Sequence, residues 1–249
     1  MQSVTSVTGP CDSMHAATAR SAPSVKREEP VKALVFDAYG TLFDVHSIIQ
    51  ACEREFPGNG AALSRDWRAK QLEYTWLRAL MVQYEDFSHV TAAALEYACR
   101  ARGLAFDADV RSRLMDEYFR LEPFPEVRET LAALAGKKLL ILSNGSPHML
   151  NAVVEHAGLK DAFAHVLSAH AVKTYKPNPA VYQLAATRTK LERRAIGFVS
   201  SNFWDICGAG VFGFKTFWVN RSGATPDALG YSPDATLPNL TDLARFPAT

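Results

Sequence analysis

The stretch "VFDAYGTLFD" occupies residues 35–44 and decides the fold. Apolar residues that favour β-structure run directly into Asp37, and Tyr39, Gly40 and Thr41 follow it. A carboxylate at the end of a buried strand costs free energy unless it is paired or has a chemical role. A turn cap is the alternative interpretation, since aspartate is favoured in turns. The stretch therefore predicts a buried strand that ends on a functional carboxylate.

Composition and charge limit the classes of protein to which the chain can belong. It has 249 residues, of which 48% are apolar, and this suits one large domain or a core with an insertion. The net charge of +1 gives no strong field toward nucleic acid or an acidic membrane surface. No apolar run approaches the roughly 18–20 residues that a membrane span needs. We therefore expect a cytoplasmic protein with no nucleic-acid or membrane partner.

The first 30 residues differ from the rest of the chain. Residues 1–30 are rich in Ser, Thr, Ala and Pro and show no periodicity, which predicts a disordered extension. A transit peptide and a misassigned start codon are the alternatives, and the apolar run of a secretory signal is absent from this segment. The four cysteines have no C-x-x-C spacing, so we expect them to be reduced and without a metal role. They are Cys11, Cys52, Cys99 and Cys207.

Short apolar runs alternate with helical stretches from residue 31 onward, which is typical of an α/β protein. Runs that are apolar throughout fit parallel strands covered on both faces. In the helical stretch over residues 178–191, Asn178 is expected to cap the helix and Pro179 to occupy its first turn. The five predicted strand regions are residues 32–40, 137–145, 163–170, 195–202 and 214–220.

The interval between the first and second predicted strands breaks this rhythm. Residues 46–123 contain no convincing strand and are interpreted as several amphipathic helices. In open α/β sheets, ligands bind beyond the carboxyl ends of the strands. A helical cap domain over residues 46–123 is therefore predicted to cover the end of the first strand. The core domain would then comprise residues 31–45 and 124–249.

Four segments in order resemble the motifs of the haloacid dehalogenase superfamily. "DAYGT" resembles the first motif, and "LLILSNG" ends with the hydroxyl residue of the second, Ser143. "YKPNPAVY" supplies the lysine of the third, Lys176, and "FVSSNFWD" stands where the fourth is expected. The resemblance covers residues 31–249. It implies a Rossmann-like parallel sheet core with an inserted helical cap domain.

The chain departs from most members of that superfamily, which are Mg²⁺-dependent phosphatases, at two positions. Their general acid is a second aspartate, and Tyr39 takes its place here; Ser201 stands where they carry a metal-binding carboxylate. Mg²⁺ requires oxygen ligands in octahedral geometry, and Asp37 with Asp205 alone would bind it poorly. We therefore expect no metal and no cofactor. A phosphatase of a small phosphorylated metabolite and a non-catalytic binding protein remain alternatives.

A different reaction requires neither of the two missing carboxylates. A carboxylate can attack a carbon that bears a halide, and the halide leaves as an anion without a proton. The L-2-haloacid dehalogenase branch carries a tyrosine at the position of Tyr39, and "VSSNFWD", "LSNGSP" and "WRAKQLEYTWLR" are similar to its segments. The resemblance implies hydrolysis of L-2-haloalkanoic acids to D-2-hydroxy acids, with inversion and through an ester on Asp37. The substrate, water and halide product would be its partners, and a homodimer its assembly.

Arg68 is the expected receiver of the halide. Arg68 and Leu72 are four residues apart and share a helix face, with Trp76 one turn further. An arginine whose stem packs while its head stays in water is the alternative. The resemblance favours halide binding, which suits a permanent cation with several donors. Trp204 and Phe87 are candidate walls of the halide pocket, with core packing as the alternative.

The resemblance implies two overlapping sets of site residues. Asp205 would orient or deprotonate the attacking water, and Lys176 would position the nucleophile Asp37. Tyr182 is a weaker candidate, with helix packing as the alternative. The predicted catalytic residues are Asp37, Thr41, Arg68, Ser143, Lys176, Tyr182, Ser200, Asn202 and Asp205. The predicted substrate- and halide-binding residues are Ala38, Tyr39, Arg68, Leu72, Phe87, Ser143, Asn144 and Trp204.

Overall fold

A computed structural model describes residues 30–245, so the extension predicted over residues 1–30 lies almost entirely outside the described residues. The strands are β1 Ala33–Phe36, β2 Lys138–Ser143, β3 His165–Ser168, β4 Ile196–Ser200, β5 Lys215–Val219 and β6 Ala235–Leu237. The helices are α1 His46–Glu55, α2 Gly60–Met81, α3 Phe87–Ala101, α4 Ala108–Asp116, α5 Val127–Ala133, α6 Pro147–His156, α7 Pro179–Thr189 and α8 Phe203–Phe212.

The six strands form one sheet in the order β3-β2-β1-β4-β5-β6, and every neighbouring pair is parallel. Strand β1 is central, with Phe36 opposite Ile141 on one side and Val199 on the other. All four of its residues are buried. The predicted fold class, a parallel α/β sheet with an inserted helical segment, is confirmed.

The strands are shorter than the apolar runs from which they were predicted, and strand β6 was not predicted. Each of the five predicted regions contains a strand, with two to five residues of the run lying in the flanking turns. Strand β6 is only three residues long, and two of them are partly or fully exposed. So short and polar a segment carries neither a continuous apolar run nor a period of two.

Four helices, α1 to α4, lie within residues 46–123, and α5 follows them before β2. The buried face of α2 carries Leu63, Trp67, Gln71 and Thr75, which follow one another at four-residue spacing. The Asn178 side chain accepts a hydrogen bond from the Ala180 N–H, so the predicted cap of α7 is confirmed. Within residues 30–245, no helix combines the length and apolarity needed to cross a membrane.

Gly197 in β4 offers a test of sheet packing. A Cβ atom there would lie 2.8 Å from Leu34 and 2.8 Å from Phe217, closer than real Cβ atoms approach. Gly197→Ala should therefore lower the free energy of unfolding by about 1–3 kcal/mol through overpacking, although alanine normally suits a strand better than glycine. Gly136→Ala is the matched control, since a Cβ there meets nothing within 4 Å. Denaturant unfolding that gave equal stability for both variants would contradict this packing.

Candidate active site

The turn that follows β1 fixes the position of the Asp37 carboxyl group. The Asp37 N–H donates to the Val199 carbonyl at 2.9 Å, and the Ala38 carbonyl accepts from Leu42 at 2.9 Å. Gly40 adopts φ +83°, a left-handed conformation that favours glycine. The Ser201 hydroxyl donates to the Gly40 carbonyl at 2.7 Å. The turn is therefore anchored to the end of the neighbouring strand β4.

Lys176 lies between two buried carboxylates. Its Nζ is 3.1 Å from Asp37 Oδ1 and 2.8 Å from Asp205 Oδ2. The exposed fractions of Asp37, Lys176 and Asp205 are 7%, 1% and 0%. The Lys176 N–H donates to the Asn144 side-chain oxygen at 2.9 Å, which ties this loop to the end of β2. Three separate segments of the chain thus converge on one lysine.

The second oxygen of Asp37 accepts two further hydrogen bonds. Asn202 Nδ2 donates to Oδ2 at 2.9 Å, and Thr41 Oγ1 donates to it at 3.2 Å. The Thr41 hydroxyl in turn accepts from the Ser201 N–H at 2.9 Å. Each oxygen of the buried carboxylate is therefore hydrogen-bonded, which compensates its desolvation and restricts its orientation.

Asp205 is held by Lys176 on one oxygen and by Tyr182 on the other. The Tyr182 hydroxyl donates to Asp205 Oδ1 at 2.7 Å. Burial raises the pKa of Asp205 to about 6, while the Lys176 charge and the Tyr182 hydrogen bond act in the opposite direction. Burial also disfavours the Lys176 cation, but the two carboxylates outweigh it and raise the pKa of the lysine. The lysine therefore stays charged at neutral pH.

The opposite wall of the site comes from the helices between β1 and β2. Arg68 and Leu72 on α2, with Phe87 at the start of α3, face a small cavity above Asp37. The cavity has a volume of about 20 Å³ for water-sized molecules, which is close to the minimum that holds one water. Its lining residues are Asp37, Tyr39, Arg68, Leu72, Phe87, Ser143, Asn144, Lys176, Asn202 and Trp204.

Tyr39 occupies the position where most superfamily members carry an acid. Its ring is stacked on Phe87, with centroids 6.1 Å apart, and meets Tyr118 edge-on at 5.7 Å. Its hydroxyl is buried, and no other described residue forms a hydrogen bond with it. Burial raises the pKa of Tyr39, so the ring stays neutral and lends no negative charge to the site.

The structure brings most of the predicted site residues together around this cavity. Ser200 was predicted to be a catalytic residue, and its hydroxyl accepts from the Asn202 N–H at 3.1 Å, so it supports the side chain that bonds to Asp37. Ala38 contributes its backbone to the turn. The Ser143 hydroxyl accepts from the Gly145 N–H at 3.1 Å while it lines the cavity. Ser200 thus reaches Asp37 only through Asn202.

Three polar residues near Arg68 were missed by the sequence analysis. Gln71 accepts a hydrogen bond from Arg68 and contacts Thr91 and Tyr118 in the same buried region. The available signal was the spacing of Arg68 and Gln71, three residues apart on one helix face. A glutamine on a buried face is unusual enough to be flagged, because an amide must find partners there.

The described residues offer no ready site for a metal ion. Across residues 30–245, no group of three or more His, Cys, Asp or Glu side chains is arranged to bind one. At the position of the missing carboxylate, the Ser201 hydroxyl lies 3.2 Å from the Thr41 hydroxyl. The local polar groups thus bond to one another and to the backbone turn.

A comparison with protein families defines the class of the chain. The family of haloacid dehalogenase-like hydrolases matches residues 31–213, which include all four motifs. The fold and the buried Asp37–Lys176–Asp205 cluster at the carboxyl ends of the strands therefore belong to a hydrolase of this class.

Individual relatives narrow the class further. The (S)-2-haloacid dehalogenase of Pseudomonas sp. (strain YL) is 52% identical over 212 residues, which cover 84% of this chain and 91% of the relative. Haloacetate dehalogenase H-2 of Moraxella sp. (strain B) is 48% identical over 218 residues, which cover 87% and 97%. The structure of L-2-haloacid dehalogenase from Xanthobacter autotrophicus with covalently bound chloropropionic acid superposes with a TM-score of 0.82, at 41% identity, and covers 86% of this chain and 97% of that one.

The chain belongs to the L-2-haloacid dehalogenases, a family of haloacid dehalogenase-like hydrolases. This confirms the predicted family and the predicted class of reaction, hydrolysis of a carbon–halide bond.

Proposed function

We propose that this protein hydrolyses L-2-haloalkanoic acids to D-2-hydroxy acids with inversion, through an ester on Asp37 and without a metal ion. The main supporting observation is the cavity itself. A fully hydrogen-bonded Asp37 carboxylate lies on one wall and the Arg68 cation on another, while positions 39 and 201 carry a tyrosine and a serine. The cavity thus combines a nucleophile with an anion receiver, and position 39 carries no carboxylic acid to protonate a leaving oxygen.

In the first step, an oxygen of Asp37 attacks C2 of the substrate from the side opposite the halogen. The carbon–halogen bond breaks, its electron pair leaves with the halide, and Arg68 stabilises the anion with the Asn144 side chain. Ser143 and backbone N–H groups at positions 38, 39 and 144 would hold the substrate carboxylate. In the described part of the chain, neither the Ala38 nor the Tyr39 N–H bonds to another backbone carbonyl, so both can serve an anion.

In the second step, water attacks the carbonyl carbon of the Asp37 ester and the D-2-hydroxy acid leaves. The product hydroxyl oxygen comes from Asp37, which regains an oxygen from water. Asp205 is the proposed base for this water, because burial raises its pKa to about 6, near the range in which a base works best at neutral pH. Tyr182 and Lys176 keep it oriented, and Thr41, Asn202 and Ser200 keep Asp37 in place.

Helices α1 to α4 are proposed to act as a cap over this site, and the cap domain would comprise residues 46–123. The two connections to the sheet run side by side: Asp44 N donates to the Glu122 carbonyl at 2.8 Å, and Phe124 N donates to the Leu42 carbonyl at 3.0 Å. The cavity has room for about one water, so we expect the cap or its side chains to move when a haloacid enters.

Halide release tests the proposed function. We expect release from L-2-chloropropionate and none from the D isomer, because attack opposite the halogen in a fixed site requires one configuration at C2. EDTA should leave the rate unchanged, and Asp37→Asn should abolish release. After repeated turnover in H₂¹⁸O, mass spectrometry of the protein should find label in the Asp37 carboxyl group. Label in the product alone would contradict the ester, and Mg²⁺-dependent hydrolysis of p-nitrophenyl phosphate would favour a phosphatase instead.

The raised pKa of Asp205 generates a pH prediction. A base must be deprotonated, so turnover should fall as pH drops through about 6, where Asp205 becomes protonated. The Tyr182 hydrogen bond lowers this pKa, so Tyr182→Phe should move the acid limb of the pH–rate profile to higher pH. The measurement is kcat for L-2-chloropropionate across pH 4.5–8 (about the range that brackets the limb). A limb at the same pH in both proteins would contradict the role of Asp205.

We also propose a cytoplasmic homodimer. Supporting observations are the free, buried thiols of Cys52, Cys99 and Cys207, which suit a reducing compartment, and an exposed apolar end of α2. That end, the α2 patch, consists of Leu77, Leu80, Met81 and Val82. An exposed group of this kind marks an interaction surface better than a scattered leucine does.

The α2 patch predicts how a charge would change the assembly. Leu80 is 81% exposed, so Leu80→Glu should not disturb folding but should shift the mass measured by light scattering from two chains toward one. Val211→Glu is the matched control, since Val211 is 80% exposed on α8 and does not belong to this patch. A mass that both variants leave at two chains would place the interface elsewhere, and a wild-type mass of one chain would refute the dimer.

A further inference from the structure

Arg68 is held by an amide and not by a carboxylate. Its Nη1 donates to Gln71 Oε1 at 2.7 Å, and no ion pair within residues 30–245 includes Arg68. Gln71 is fully buried on α2, one turn beyond the arginine. The guanidinium is thus oriented by a neutral partner, and its positive charge is not compensated.

The orientation of the Gln71 amide is fixed by what lies behind it. Gln71 Nε2 donates to Thr91 Oγ1 at 2.7 Å and to the Tyr118 hydroxyl at 3.4 Å. The Thr91 hydroxyl already donates to the Phe87 carbonyl at 2.6 Å, so its oxygen must accept from the amide. The Gln71 oxygen therefore faces Arg68, with no alternative arrangement of the amide that satisfies all these partners.

The same network joins three walls of the cavity. Thr91 lies one turn after Phe87 on α3, and its carbonyl accepts from Trp67 Nε1 at 2.8 Å. Tyr118 meets the ring of Tyr39 edge-on. A displacement of Gln71 would therefore change the position of Arg68 relative to Phe87 and Tyr39 together.

We propose that Gln71 is a positioning residue that directs the Arg68 guanidinium at the departing halide and keeps its charge available. This inference rests on the proposed function, since it assumes that Arg68 receives the halide. A carboxylate at position 71 would orient the guanidinium as well, through a charge-assisted hydrogen bond, but it would neutralise the charge that the halide must meet. The neutral amide gives orientation without that competition.

Gln71→Glu adds a negative charge beside the guanidinium while the side chain keeps its shape and its acceptor toward Arg68. The Thr91 and Tyr118 hydroxyls can donate to the oxygen that replaces the amide nitrogen. The readouts are the inhibition constant of bromide, a product of turnover, and kcat for L-2-chloropropionate and L-2-bromopropionate. We expect bromide inhibition to weaken by about tenfold or more, on the scale of one hydrogen bond to a charged group. The loss in kcat should be larger for the chloro substrate, whose poorer leaving group depends more on Arg68, with little change in KM.

Gln183→Glu is the matched control. Gln183 is exposed on α7, and its oxygen accepts from Arg193 Nη2 at 3.3 Å, so the same substitution faces an arginine outside the site. We expect this variant to keep wild-type kinetics and bromide inhibition. Circular dichroism shows whether Gln71→Glu folds, and Gln71→Met is the replacement variant if it does not. We expect Gln71→Met to weaken bromide inhibition as well, because it removes the acceptor that orients Arg68.

Two outcomes would overturn the inference. One is unchanged bromide inhibition in folded Gln71→Glu or Gln71→Met. The other is an equal fractional loss of kcat for the chloro and bromo substrates, which is what a purely structural role would give. In either case halide release by the wild-type enzyme would leave the proposed function intact. An absence of halide release from the wild type would instead refute the proposed function itself.

Discussion

The ammonium group of Lys176, placed between Asp37 and Asp205, is the interaction on which the site depends. Three charges are removed from water together, and such a cluster is tolerated only when every charge is paired and hydrogen-bonded. Without the lysine, two carboxylates would face each other in the interior. The cluster is supplied by the residue after β1, the loop before α7 and the start of α8. These three segments must therefore keep fixed positions relative to one another.

The cluster also explains the division of the site into two halves. The sheet supplies the carboxylates and their hydrogen bonds, and the helices between β1 and β2 supply the Arg68 cation. Lys176 pairs with both Asp37 and Asp205, whereas Arg68 forms no ion pair within residues 30–245, so the charge of Arg68 remains available to an anion. In the proposed reaction, the substrate carboxylate would be held by N–H groups and hydroxyls, and the arginine would be left for the halide.

Much of this arrangement could be predicted because parallel strands bring their carboxyl ends to one edge of the sheet. Asp37 directly follows β1 and Ser143 ends β2, whereas Lys176 and Asp205 were predicted from the resemblance of their segments to the superfamily motifs. The contact between Ser200 and Asn202 could not be predicted, because the direction of a hydroxyl depends on the local turn, which spacing does not reveal. Gln71 and Tyr118 come from different helices, so their contact depends on how the helices pack.

The contact between Trp76 on α2 and Trp204 on α8 joins the helical segment to the sheet side of the molecule, with ring centroids 5.6 Å apart and the rings edge to face. Both indoles are only partly buried, whereas Trp67 and Trp218 are buried within their own layers. Any separation of the proposed cap from the sheet would pull this pair apart and expose it to water. The chain therefore carries an intrinsic fluorescent reporter of its own opening, with two shielded tryptophans as a steady background.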